Sequence, residues 1–353
     1  MRCGVGDYTA SLARALQDSD KAQIAVLTGE GAKIEVASGV EVIQVPDWRL
    51  RSVVHILRVI ARWNPDLVHI QFPTQGYAGY WLPWTSPLVL RMSGFRVVQT
   101  WHEFFPMGGH RRSFIPCIAC DTAIVVRPEF MKSISTWYRW LLRKSKIVFI
   151  PGASSVPHSR LSEAARAHLH EELVAGQERV VTYFGFAHPN KGVEQLFQIA
   201  NPERDRLVLL CDLQDTNDYQ KKILDECQRS PWINKVTVTG FLPSEKVADI
   251  LAASDAVVLP FPGGGGDWNS SLTAVLAQGT LVVTTSISKD GYDPKSNVFF
   301  AKPGDINSMA SALVAYGGRK ISRSNNPDQD WARIAASHLD VYTEVLKKSR
   351  GSK

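Results

Sequence analysis

At 353 residues, 44% hydrophobic and 21% charged, the chain is too long for one typical core and too apolar to be disordered, so two globular domains are expected. No uninterrupted apolar run approaches the roughly 20 residues of a membrane-spanning helix, and the start lacks a basic-then-apolar signal pattern. A cytoplasmic protein is expected, and its five scattered cysteines suit reduced thiols. The net charge of +6 is uneven: residues 1–155 hold 18 Lys and Arg against 11 Asp and Glu, while the remainder holds 22 against 23. A basic N-terminal half suits an anionic partner such as a membrane surface, a lipid-phosphate acceptor or a nucleic acid, or serves solubility alone.

The chain opens with Gly4-Val5-Gly6-Asp7-Tyr8-Thr9 and a helical pattern in Leu12, Ala13, Ala15 and Leu16. A Gly-x-Gly turn opening a helix normally follows a buried strand that aims it. None precedes it here, so the N-terminal domain is expected to lack its first strand in this sequence, either because the start lies too far downstream, the favoured reading, or because the domain has lost that strand. Strand-like runs follow at 22–28, 40–45, 66–72, 96–104, 122–127 and 146–150, with helical segments such as 51–63 between them. That alternation is the pattern of a doubly wound α/β sheet. Pro, Gly and Ser concentrate at 151–158, which reads as the interdomain linker.

The second half repeats the alternation, with strand runs at Val180–Phe184 and Arg206–Cys211 and again from Lys235 to Thr285. This last stretch has three β-branched runs separated by helical ones, as in a parallel βαβαβ unit covered on both faces. Its glycine run, Gly263 to Gly266, follows a strand and precedes a helix that starts Asn269-Ser270-Ser271-Leu272. Such a place offers backbone N–H groups and a positive helix end, and reads as a phosphate seat. A capped surface loop is the competing reading. Helices over 306–315 and 331–346 close the chain.

Other residues divide between site and scaffold. Lys191 follows a strand end, facing where a phosphate would sit. His102 sits just after the strand in the 96–104 segment, which runs into a loop, with Glu103 beside it. His69 fits a cleft or a core equally well, and His188 reads as a loop residue. Cys117 and Cys120 form a Cys-x-x-Cys pair without a second pair to complete a zinc site, so buried thiols are expected. Residues 137–146 interleave Trp137, Tyr138 and Trp140 with Arg139, Arg143, Lys144 and Lys146. That composition suits an interfacial membrane site or a core helix with a solvated basic face.

Together these landmarks resemble the retaining, nucleotide-sugar-dependent glycosyltransferases of the glycogen-synthase-like group, glycosyltransferase family 4, which have the GT-B fold. The matching residues are Gly4 to Thr9, Thr100-Trp101-His102-Glu103-Phe104, Gly185 with Lys191-Gly192, Gly240-Phe241-Leu242-Pro243, Asp255 to Phe261, Ser271-Leu272, Gly279 and Val282 to Thr285. The resemblance implies two Rossmann-like domains facing across a cleft, an acceptor-side domain at 1–155 and a nucleotide-sugar domain at 156–346, with the last helix packing back on the first. It implies that Lys191 neutralises the donor diphosphate, that Gly185 and the amides of Asn269, Ser270, Ser271 and Leu272 line its seat, and that Gly4, Val5 and Gly6 leave room for the donor. His102 matches the family's histidine near the transferred sugar.

A departing nucleoside diphosphate accumulates negative charge, which a lysine and a helix N-terminus stabilise, so metal-independent transfer without a cofactor is expected. The substrates implied are a UDP- or GDP-sugar and a saccharide or lipid-linked acceptor of a cell-surface polymer, with no nucleic acid. Membrane contact would run through the basic half, at the inner face of the plasma membrane. The family's two glutamates at the start of the donor helix are replaced by Gly266 and Ala274, and its usual basic residue after Gly185 by Phe186. The absent glutamate pair and the missing first strand motivate one alternative, a GT-B pseudoenzyme that binds a partner or glycan; a second, a nucleotide-sugar epimerase, shares the architecture but needs cleft carboxylates, for which Glu103 is the main candidate.

Overall fold

The computed structural model describes residues 4–30, 39–73, 77, 79–103, 114–128, 130–142, 145–266, 268–322 and 327–350. In chain order the first elements are α1 (Gly4–Gln17), β1 (Ala25–Gly29), β2 (Glu41–Val45), α2 (Val53–Trp63), β3 (Leu67–Phe72), α3 (Leu82–Met92), β4 (Arg96–Trp101), α4 (Phe114–Ile118), β5 (Thr122–Val125), α5 (Phe130–Ser133), α6 (Thr136–Leu141) and β6 (Lys146–Phe149). Then come α7 (Glu163–Val174), β7 (Arg179–Phe184), α8 (Leu196–Ile199), β8 (Asp205–Leu210), α9 (Asp218–Cys227), β9 (Val236–Val238), α10 (Ser244–Ala253), β10 (Ala256–Leu259), α11 (Ser270–Leu276), β11 (Val282–Thr285), β12 (Gly291–Asp293), β13 (Val298–Ala301) and α12 (Ile306–Tyr316). The last helix is α13 (Pro327–Arg350). Two compact units result: residues 1–153 with 328–353, and residues 154–327.

In the first unit β3, β4, β5 and β6 form a parallel sheet in that order, and β1 pairs β2 in parallel as a separate ribbon. β4 is buried at five of its six residues because helices cover both faces, and the buried five include the polar Gln99 and Thr100. Its one buried amide, Gln99, is satisfied: Nε2 donates to Pro116 O at 3.2 Å, and Oε1 accepts from Trp101 Nε1 at 2.9 Å. Gly4, Val5 and Gly6 form the first turn of α1 rather than a turn before it. Tyr8, Leu12 and Leu16, spaced four apart on one face, pack with Trp331, Ile334, Val341 and Val345 of α13 over Val98 and Ile124. The spacing of those α13 residues gives it the apolar stripe that this contact buries.

In the second unit a seven-stranded sheet runs β12-β13-β11-β10-β7-β8-β9. Six strands are parallel, and the edge strand β12 pairs antiparallel to β13. The strands of the stretch from Lys235 to Thr285, β9, β10 and β11, are parallel to their neighbours as read from the sequence, and β12 lies beyond it: a three-residue strand starting at a glycine has no apolar run to announce it. The central strands β10 and β11 are buried at every residue. Leu251 and Val247 of α10, Leu272 and Val275 of α11, and Met309 and Leu313 of α12 cover them. Removing one such buried leucine to alanine typically costs roughly 2–5 kcal/mol.

Candidate functional site

The order of the second sheet creates the candidate site. From β7 the chain moves outward through β8 and β9, then returns to the other side of β7 with β10. The connections therefore diverge between β7 and β10, and in an open parallel sheet the crevice beyond the carboxyl ends at such a point receives ligands.

The segments that leave these two strands touch. Gly185 ends β7 with φ +143°, and a Cβ there would lie 2.9 Å from Ser271 Oγ. Gly192, with φ +67°, sits so close to the end of β10 that a Cβ would lie 2.3 Å from Pro260 O. Between them Pro189–Lys191 form a single 3-10 turn, capped by His188 Nδ1, which accepts from Asn190 N at 3.3 Å. His188 is thus a turn residue. The turn places Lys191 Nζ 5.0 Å from the centroid of the Phe261 ring, so the cation stands against an aromatic face at the mouth of the crevice. Nothing in the sequence pattern singled out Phe261 beyond its place at a strand end.

Hydroxyls on β11 hold the far side. Thr284 Oγ1 donates to Leu259 O at 2.8 Å and Thr285 Oγ1 to Phe261 O at 2.7 Å. The glycine run is fastened to the same strand, with Gly265 N donating to Thr285 O at 2.7 Å.

One expectation changes at α11. Asn269 Oδ1 accepts from Ser271 N at 3.0 Å and from Leu272 N at 3.4 Å, so the asparagine side chain takes those two amides. Leu272 is also buried in the core. The backbone N–H of Leu272 is thus capped and its side chain packed in the core. Ser270 is exposed, and Ser271, beside Gly185, is largely buried. Where the family carries a basic residue, Phe186 instead meets Phe241 edge-on, with ring centroids 6.1 Å apart and both rings exposed.

In the first unit His102 continues the register of β4. Its N–H donates to Phe72 O at 2.7 Å, and its Nε2 lies 2.8 Å from Gln71 Oε1. With that oxygen accepting, the ring proton is on Nε2 and Nδ1 carries the lone pair. Tyr8 packs edge-on against the ring at 4.6 Å. Burial, then the positive charges of His338 and Arg127, pull its pKa down to about 3, so the imidazole is neutral near pH 7. Glu103 pairs with Arg127. Phe104, the last residue of that motif, lies outside the described residues. Gln71 was within reach of sequence reasoning: it lies at the strand end that carries His69, in register with Thr100.

The remaining candidates are scaffold. His69 bonds Tyr342 Oη at 2.7 Å and Thr100 Oγ1 at 2.8 Å, in the core under α13. Cys117 and Cys120 are buried free thiols, and burial pushes the Cys117 thiol up to about 12. Two Asp-x-Asp spacings occur, Asp18-Ser19-Asp20 and Asp328-Gln329-Asp330. No group of three or more His, Cys, Asp or Glu among the described residues could hold a metal.

Two Rossmann-like α/β units, the second with a lysine and a serine-bearing helix at the divergence of its sheet, define a glycosyltransferase of the GT-B fold. Residues 3–183 match the glycosyl transferase 4-like domain and residues 178–316 the glycosyl transferases group 1. The chain belongs to the glycosyl transferase 4-like family. No curated protein matches it.

Among solved structures it is similar to sucrose-phosphate synthase from Thermosynechococcus elongatus, with TM-score 0.74 and 18% identity over 97% of this chain and 93% of that one. Anabaena HepE in complex with UDP and glucose gives 0.65 and 15% over 99% and 95%. The catalytic domain of starch synthase IV from Arabidopsis thaliana, bound to ADP and acarbose, gives 0.66 and 12% over 98% and 97%. At such identities these likenesses concern the fold.

Proposed function

We propose that the chain is a retaining hexosyltransferase of glycosyltransferase family 4. It moves a sugar from a UDP- or GDP-sugar to a saccharide or lipid-linked acceptor of a cell-surface polymer, without a metal, in the cytoplasm. The observation that carries this reading is the contact of the two loops at the divergence of the second sheet, with Lys191 at its mouth and Ser271 against Gly185. As the bond between the anomeric carbon and the diphosphate oxygen breaks, charge develops on the leaving phosphate, and a lysine already held in place stabilises it.

We assign the serine hydroxyls of Ser270 and Ser271, rather than the capped amides, to the phosphate oxygens, with Gly185 giving the backbone close approach. Relatives in fold that hold UDP and ADP support a nucleotide-linked donor. In the first unit we assign neutral His102 to hydrogen bonding at the transferred sugar, and Gly4, Val5 and Gly6 to clearance for the donor. An added Cβ at Gly4 meets nothing within 4 Å.

The test is a screen of UDP- and GDP-sugars that follows nucleoside diphosphate release, with the anomer of the product read by NMR. Wild type should turn over one donor, and Lys191→Ala should lower that turnover by about 100-fold at unchanged circular dichroism. If no donor is turned over and no nucleotide gives heat in calorimetry, the reading is lost.

A further inference from the structure

The first unit carries a surface that the donor site does not use. On α6, Tyr138 and Leu141, three residues apart, face the core. Trp137 and Trp140, also three apart, stand on the neighbouring side, 56% and 55% exposed, with rings stacked at 5.2 Å. A helix with one buried apolar face needs polar residues on the other, and here the other carries two tryptophans.

The neighbours share this character. α4 packs on both α3 and α6. Their exposed residues include Leu88 and Met92 on α3, the latter 79% exposed, and Ile118 on α4. α5, just before α6, adds the exposed Met131. Over α3, α4, α5 and α6 the sequence has no Asp or Glu and three cations, Arg91, Lys132 and Arg139. The adjacent Asp121, 3.5 Å from Arg91 and 3.9 Å from Arg96, cancels one of those two charges, and residues 82–141 as a whole still hold seven Lys and Arg against three Asp and Glu.

We propose that the α3–α6 face docks this protein on an anionic lipid bilayer, with Trp137 and Trp140 seated at the headgroup level and Arg91, Lys132 and Arg139 against the phosphates. Tryptophan, with an apolar ring system and one N–H donor, prefers that boundary, and cations beside it gain from the negative surface potential. A second copy is a poorer occupant, because a two-fold contact would set the same cations against each other. Among the described residues no helix is long and apolar enough to cross a membrane, so this contact is interfacial.

The experiment is cosedimentation of the full chain with vesicles of equal parts phosphatidylglycerol and phosphatidylcholine, compared with pure phosphatidylcholine, plus quenching of tryptophan fluorescence by brominated lipid. Wild type should pellet with the anionic vesicles, less so as salt rises, and be quenched. Trp137→Ser with Trp140→Ser should lower the partition coefficient at least about tenfold, while donor turnover in vesicle-free solution stays unchanged. Lys132→Gln with Arg139→Gln should lower it by about fivefold per charge on anionic vesicles only, and decides the matter should the tryptophan variant fail to fold. Wild type remaining in the supernatant, both variants pelleting like wild type, or a wild-type dimer that the tryptophan variant converts to monomer would each overturn the proposal.

Discussion

Gly192→Ala tests the geometry of the donor site directly. The glycine has φ +67°, where an L side chain costs roughly 1–2 kcal/mol. The new methyl would lie 2.3 Å from the backbone oxygen of Pro260 and 3.2 Å from Pro262 Cδ, so one loop must move. Overpacking of this kind typically costs about 1–3 kcal/mol. Together, less what a loop shift recovers, the loss is about 2–4 kcal/mol, which in a unit of this size lowers Tm by about 5–15 °C.

The residue before it is Lys191, so the same shift moves the ammonium away from the Phe261 ring, and donor KM should rise as well. Gly263→Ala is the control, since a Cβ there meets nothing within 4 Å. Thermal unfolding followed by circular dichroism, with donor kinetics on the same preparations, reads both effects. If Gly192→Ala melts within about 1 °C of wild type and keeps its donor KM, the reasoning about this loop contact is refuted.

Asp205 is fully buried and accepts from Arg179 Nε at 2.8 Å and from Asn201 N at 2.7 Å. Asp205→Ala leaves that guanidinium without its carboxylate and should cost about 3–5 kcal/mol in urea unfolding; a change below about 1 kcal/mol would contradict it. Acid should also destabilise the first unit. Burial drops the His338 pKa from 6.5 to about 4 and holds His69 well below its ordinary value. Between those limits the unfolded chain binds protons that the folded chain refuses, so the stabilisation is complete above pH 6.5 and is lost as pH falls toward 4. From His338 alone, unfolding should be about 2 kcal/mol easier at pH 5 than above pH 7.5, and His338→Leu should flatten the dependence in denaturant titrations at the two pH values. Lys191→Ala, described above, should separate activity from stability by losing turnover while its Tm stays within a few degrees.

The strands of both sheets were legible because parallel strands covered on both faces are rich in apolar and β-branched residues. Val97 to Trp101, Ala256 to Leu259 and Val282 to Thr285 announce themselves as runs. Gly185 and Lys191 were legible by position, since a glycine and a cation just past a strand end are where an anion would be met. Some features had no such signature. β12 is too short to form a run, and Asn269 reads equally well as a ligand and as a cap until its carboxamide is seen on the amides of Ser271 and Leu272. The α6 stretch showed aromatics and cations mixed, but only packing separates Tyr138 and Leu141 from Trp137 and Trp140.

By itself the sequence determined the α/β class, because the period of its apolar residues and the placement of its Gly and Pro are local properties written in the chain. Which strand lies beside which depends on contacts between residues far apart, and these the sheet alone decided. β10 could join either side of β7 without changing a residue of its own pattern. Its place opposite β8 brings Ser271 to Gly185 and Phe261 to Lys191. The same holds for α13, whose stripe is plain in the sequence, whereas the surface it buries, around Tyr8, His69 and Ile124, exists only once the chain has folded.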